Sequence, residues 1–173
     1  MISFRPSTAA ECNTALEEWG HYLGPQKGPR MVLWYAVYVG SELASVAVSA
    51  APRGATCAGH PWHEVVELAR LCSAPDHRDM TRVCLRCWRK VAAQHWADRY
   101  HKTIRTLAAY SDSTRHPGDI YRFDGWRLHD EKMRGGGGQT CGRLPQTVAP
   151  KKLWVFDFAE PAMPRQIALE LAP

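Results

Sequence analysis

No stretch of this chain holds the roughly 18 consecutive apolar residues needed to span a bilayer, so no membrane partner is expected. The N-terminal MISFRPSTAAEC has an acid where a secretory signal would carry an apolar run, which points to a cytoplasmic protein. The phosphate-binding pattern GxxxxGK[ST] is absent, and the four consecutive glycines from Gly135 to Gly138 do not supply it. The one CxxC, Cys84 and Cys87, has no second CxxC or HxxxH to complete a zinc site, and it falls inside a helical pattern. Without a signal segment the six cysteines read as reduced thiols, most of them in the core. Internal repeats are lacking, and 173 residues suit one domain, 1–173, large enough for a real core.

What is present is globular: 45% hydrophobic and 23% charged residues, with a formal charge of +5 that favours anionic partners. Seven tryptophans and six tyrosines serve as core, or as stacking surfaces for bases. A strand over Ile2–Arg5 is followed by a capping box, Thr8 with Glu11, that opens a helix running to about Tyr22. Met31–Val39 and Leu43–Ala50 form a hairpin about Gly40-Ser41. A third long strand, EVVELARLCSA, opens at Trp62 or His63 and carries Glu67 and Arg70 inside an apolar run. Such residues need partners or a task. They pair with each other or with a neighbouring strand, or Arg70 reaches a ligand.

After the polar turn PDHRD, a helix spans Met80–Tyr100, with Met80, Val83, Cys84, Cys87, Trp88, Val91, Ala92 and Trp96 on one face. Arg82, Arg86, Arg89 and Lys90 line the other, as a solvated face or a phosphate-binding stripe. Thr103–Tyr110 is a buried strand. It leads into Ser111–His116, polar residues read as lying outside the core, then a short helix over Pro117–Asp124 and a strand from Trp126. Residues 133–150 read as a flexible glycine-rich loop, Leu153–Phe158 as a last strand, and the tail from Pro161 as peripheral.

Functional groups crowd the end of the strand that closes at Tyr110, where α/β sheets place ligand sites. Asp112 and His116 are candidates for proton transfer or for positioning an amine. The same Asp and Ser residues also serve simply to cap the next helix. Trp34 and Tyr35 on the hairpin either stack on a substrate base or pack in the core.

The element order β–α–β–β–β–α–β–α–β–β resembles the GNAT acyltransferase fold, an α/β (α+β) arrangement with a mixed, mostly antiparallel sheet flanked by helices. Within it, Glu67, Leu68, Arg70 and Leu71, then Tyr110, Asp112, His116, Gly118, Tyr121, Gly125 and Trp126, are similar to the Mom DNA-modification proteins of Mu-type phages. That resemblance covers roughly Val65–Leu128. It implies a transferase that converts adenine N6 in double-stranded DNA to an acetamido derivative, as protection against restriction. It also implies acetyl-CoA or a related acyl-CoA as donor, and leaves open whether a metal ion takes part.

On that reading the cofactor contacts are Arg70 on the third long strand and Arg78, Thr81 and Arg82 at the start of the long helix, where free N–H groups favour a pyrophosphate. Tyr121 is placed to protonate a leaving thiolate, and Trp34, Tyr35 and Glu67 contact substrate. The segment PDHRDMTR carries no glycine where GNAT pyrophosphate loops have them. Two other functions fit the same elements: a GNAT N-acetyltransferase acting on a small-molecule, tRNA-linked or protein amine, and a binding module without chemistry.

Overall fold

The computed structural model describes residues 1–27, 31–133 and 150–165. In chain order these form β1 (Ile2–Pro6), α1 (Ala9–Glu18), β2 (Val32–Val39), β3 (Glu42–Ala50), the two-residue strands β4 (Thr56–Cys57) and β5 (His60–Pro61), β6 (Val65–Ser73), α2 (Met80–Tyr100), β7 (Ile104–Asp112), α3 (Asp119–Phe123), β8 (Arg127–Met133) and β9 (Lys151–Ala162). Seven strands make one sheet in the order β1-β2-β3-β6-β7-β9-β8, and β4 pairs with β5 alone. The mixed, mostly antiparallel sheet expected from the sequence is therefore the observed one.

The local signals act largely as expected. Thr8 caps α1 by accepting the Glu11 N–H at 3.2 Å. The reciprocal half of the capping box is redirected, because the Glu11 carboxylate accepts from Ser7 Oγ (2.5 Å) and Tyr38 OH (2.6 Å) instead. The helix stops at Glu18 rather than Tyr22, since Gly20 adopts φ +66° and His21 N–H closes back on the Leu16 carbonyl at 2.9 Å. The third long strand opens at Val65, after a single 3₁₀ turn over Trp62–Glu64. Pro161, read from sequence as the start of a peripheral tail, is still part of β9. The glycine-rich stretch is outside the described residues from 134 to 149, as are 28–30 and 166–173.

Alternation along the strands divides the side chains between two faces. Tyr35, Val37, Ala47, Val66, Leu68, Leu107 and Ala109 face α2 and close a core with Leu85, Trp88 and Trp96. Ala36, Tyr38, Val46 and Val48 face the other way, onto Cys12, Ala15 and Leu16 of α1. Val65, Ala108, Leu153 and Val155 extend that second face beneath Cys57. The basic stripe of α2 is partly consumed in packing. Arg89 donates to Asp124 at 2.6 Å and lies over the Phe156 ring at 4.4 Å, while Arg86 reaches Asp124 at 3.5 Å.

Two irregularities position the site. β6 and β7 run parallel and are joined at four positions only, Val65–Leu68 against Thr106–Ala109. Beyond that seam the register ends and the strands part. At the same level β6 carries a bulge: Val48 pairs with Arg70 and Ser49 with Leu68, so Ala69 is the extra residue. In a regular strand Glu67 and Arg70 would point to opposite faces. The bulge resets the alternation and turns both toward the α1 face, with Cys72, while Leu71 turns to α2.

Candidate active site

The parting of β6 and β7 opens a cleft of about 1070 Å³ that runs between the two faces of the sheet. Its volume is that of sites for sizeable small molecules. Glu67 and Arg70 line it from β6, Thr81 from α2, and Asp112, His116 and Tyr121 from β7 and the segment that follows. These sequence-predicted residues are thus brought together. Arg78, Arg82, Trp34 and Tyr35 are not among the cleft-lining residues. Arg82 borders a separate shallow depression with Arg86 and Phe123. Tyr35 is 1% exposed and stacks between Phe4 (5.5 Å) and His95 (5.9 Å), which places it in the core, and Trp34 is half-buried against the α1 cluster, so neither lines the cleft.

Ser111 and Asp112, read from sequence as lying outside the core, are its buried edge, because β7 continues through them. Ser111 accepts the indole N–H of Trp154 at 3.0 Å. Asp112 Oδ1 accepts both the backbone N–H (2.9 Å) and the hydroxyl (2.6 Å) of Thr114, and Oδ2 lies 3.6 Å from Arg115. The Thr114 bonds, then Arg115 and Lys151, hold this carboxyl below its ordinary range. Asp112 is therefore a fixed anion that shapes the turn. His116 is exposed on that turn, its N–H bonded to the Asp112 carbonyl at 2.8 Å.

Tyr121 stands on the α3 wall, clamped between Trp126 (5.4 Å, edge-on) and Trp154 (5.9 Å, stacked). Burial, and next the neighbouring Tyr22, raise its hydroxyl well above the ordinary phenol value, so it keeps its proton. Gly118 precedes α3 at φ +89°, with its Cα hydrogens against the Trp154 indole. Opposite, Arg70 donates from Nε to the Gly24 carbonyl (2.9 Å) and from Nη1 to the Ala69 carbonyl (2.7 Å). It thereby ties the segment after α1 to the bulge. Thr81 shares a 2.7 Å hydrogen bond with Ser73, which donates to Ser45 at 2.8 Å, locking the start of α2 to the end of β6.

Several cleft residues escaped the sequence reading. His21 and Tyr22 enter it because α1 ends early, and the available signal was an aromatic pair between Gly20 and Gly24. Their rings stack at 5.1 Å, and the Arg115 guanidinium lies 5.3 Å over Tyr22. His21 Nδ1 accepts the Leu23 N–H at 3.3 Å. Burial first, then Arg70 and His116, push this imidazole down to about 4. Cys57 and Tyr110 meet at 3.6 Å on the α1 face, and burial raises both. Among the described residues no group of three or more His, Cys, Asp or Glu is placed to hold a metal ion. Nor is any described helix long and apolar enough to cross a membrane.

Past the seam, no described strand pairs with the edge of β6 that faces β7. That edge runs toward Ser73 and Thr81. There the first turn of α2 is wound tightly, with Thr81 N–H on the Arg78 carbonyl (3.2 Å) and Arg82 N–H on Asp79 (3.3 Å).

No protein-family model matches the sequence, and no curated protein does. Solved structures do match. The ribosomal-protein-S18-alanine N-acetyltransferase of Escherichia coli superposes with a TM-score of 0.55 at 12% identity, over 98% of this chain and 99% of that one. The spermidine N-acetyltransferase of Vibrio cholerae gives 0.56 at 8% identity, over 90% and 93%. A GNAT family acetyltransferase of Elizabethkingia anophelis with acetyl-CoA bound gives 0.50 at 12% identity, over 91% and 98%. The chain has the fold of the GNAT acetyltransferases.

Proposed function

We propose that the protein transfers an acyl group from acyl-CoA to a primary amine. The observation that carries this reading is the parting of β6 and β7 beyond Leu68 and Ala109, with Glu67 and Arg70 on one wall and Tyr121 on the other. The open edge of residues 70–73 binds the extended arm of the donor, with Ser73 and Thr81 at its phosphate-bearing end. Acyl-CoA supplies a thioester; the protein supplies alignment and proton transfer. Glu67 takes a proton from the acceptor ammonium and frees its lone pair. The nitrogen bonds to the acyl carbon, the carbon–sulfur bond breaks, and Tyr121 gives its proton to the departing sulfur. The second amine proton and the one held by Glu67 leave to solvent, from which Tyr121 is reprotonated. Asp112 and Thr114 hold the wall in shape, and His116 borders the acceptor.

Thiol release from acetyl-CoA across a panel of amines tests the reading. With a productive amine, Tyr121→Phe is expected to lower kcat by about 100-fold or more, with a smaller change in KM for acetyl-CoA. A binding-competent protein that releases no thiol with any amine refutes it.

A second reading, adenine modification in duplex DNA, is favoured by one observation. The block of Glu67, Leu68, Arg70 and Leu71 and the block of Tyr110, Asp112, His116, Gly118 and Tyr121, distant in the chain, line a single cleft. Mass spectrometry of nucleosides from plasmid DNA co-expressed with the protein, beside an Asp112→Ala control, decides it. A new adenine-derived nucleoside in the wild type alone supports DNA as acceptor.

A further inference from the structure

The segment that follows α1 walls one side of the cleft, and it carries a buried polar side chain that folding leaves unpaired. Gln26 is 8% exposed and lines the cleft. Its backbone is gripped by Asn13 of α1. The Gln26 N–H donates to Asn13 Oδ1 at 2.9 Å, and Asn13 Nδ2 donates to the Gln26 carbonyl at 3.4 Å. The chain leading to it is held as well, with the Gly24 N–H on the His21 carbonyl at 2.7 Å and Arg70 Nε on the Gly24 carbonyl at 2.9 Å. The Gln26 side-chain amide, by contrast, makes no hydrogen bond among the described residues.

A buried amide left unpaired is costly, and a fixed backbone beneath it gives a ligand a preset partner. The side chain offers a carbonyl acceptor and an NH₂ donor in one plane. A carboxylate would use only the donor, and an ammonium only the acceptor. A group with a donor and an acceptor side by side uses both. A primary carboxamide is one such group. The N–H and C=O of a single peptide residue are another, and Asn13 grips Gln26 itself in that way. On the reading above, the donor runs along β6 to Ser73 and Thr81, at the start of α2. Gln26 belongs to the α1 side, which is left for the acceptor.

We infer that Gln26 is a specificity-determining residue that hydrogen-bonds an amide of the acceptor, a primary carboxamide or one residue of a peptide. This rests on the acyltransferase reading and adds a recognised feature of the substrate. A plain alkyl amine would bury the Gln26 amide with neither group paired.

Two pairs of primary amines isolate the amide: glycinamide against isobutylamine, and glycylglycine N-methylamide against heptylamine. Equilibrium binding to the full chain, with and without saturating CoA, is followed by NMR on the Gln26 side-chain NH₂ resonances, identified by their loss in Gln26→Leu. The amide member of at least one pair is expected to bind about tenfold or more tightly and to shift those resonances. The two pairs separate a carboxamide from a peptide residue. In Gln26→Leu, followed on the remaining backbone resonances, that preference is expected to fall by about tenfold while the Kd for CoA stays unchanged. Equal affinity within both pairs, no saturable binding of either amide, or a preference that survives in Gln26→Leu overturns the inference. Weaker CoA binding in Gln26→Leu also overturns it, because the amide would then serve the donor. Thiol release is scored separately, so a failure of acyl transfer is distinguishable from a failure of this assignment.

Discussion

At the scale of single residues, the site depends on groups held where their own chemistry would not put them. Gly118 has φ +89°, and an added Cβ would meet the Trp154 ring at 2.4 Å. In Gly118→Ala the left-handed backbone costs about 1–2 kcal/mol and the overlap about 1–3 kcal/mol more. Urea unfolding should show a loss of this size, with weaker acyl-CoA turnover because Trp154 also supports Tyr121. His21 gives a prediction in pH. Its folded value of about 4 lies below the ordinary 6.5, so the unfolded chain binds the proton first. The associated stability is complete above pH 6.5 and is lost as pH falls toward 4. Carboxylates held low, such as Asp112, lose stability in the same direction, so the comparison is with His21→Gln. The difference in unfolding free energy between wild type and variant should shrink across that window. A constant difference would refute the assignment.

At the scale of elements, α2 and α3 are held together by one buried carboxylate. Asp124 takes Arg89 at 2.6 Å, Arg86 at 3.5 Å and the Trp126 indole N–H at 3.1 Å, with its side chain 7% exposed. Asp124→Ala leaves Arg89 and the Trp126 indole N–H without this acceptor, while the exposed Arg86 turns to water, and is expected to cost about 1–3 kcal/mol in denaturant unfolding. A change below about 0.5 kcal/mol would mean the cluster is solvated. This clamp was hidden in the sequence, where Arg86 and Arg89 read as a free basic stripe. The elements themselves were legible: 3.6-residue periodicity marks α2 from Met80 to Tyr100, and Gly40 marks the hairpin. The bulge at Ala69 was not, because nothing in ELARL separates a bulged strand from a regular one. It alone decides that Glu67 and Arg70 share a face. Tyr35 shows the reverse problem: an aromatic residue on a strand near a cleft has two faces to choose from, and the pleat turned it into the core.

At the scale of the whole molecule, the sheet is two parts, β1-β2-β3-β6 and β7-β9-β8, sharing four residue pairs and the span of α2. A donor lying along the open edge of β6 would add contacts that folding leaves unmade, so binding and stability are linked. At a free concentration about 100 times its Kd, acetyl-CoA should stabilise the chain by about 2.7 kcal/mol, a rise in Tm of roughly 5–10 °C. An unchanged melting curve at saturation would count against the cleft as the donor site. The short seam also has a mechanical meaning. With so few rungs between the slabs, the softest deformation available is a change in the angle between them. A molecule wedged in the opening sets that angle, and every side chain on the two facing walls moves with it. In the proposed transfer, the separation of Glu67 from Tyr121 follows the thickness of whatever lies between, and a guest too thin or too thick leaves the proposed proton acceptor and proton donor out of reach of each other.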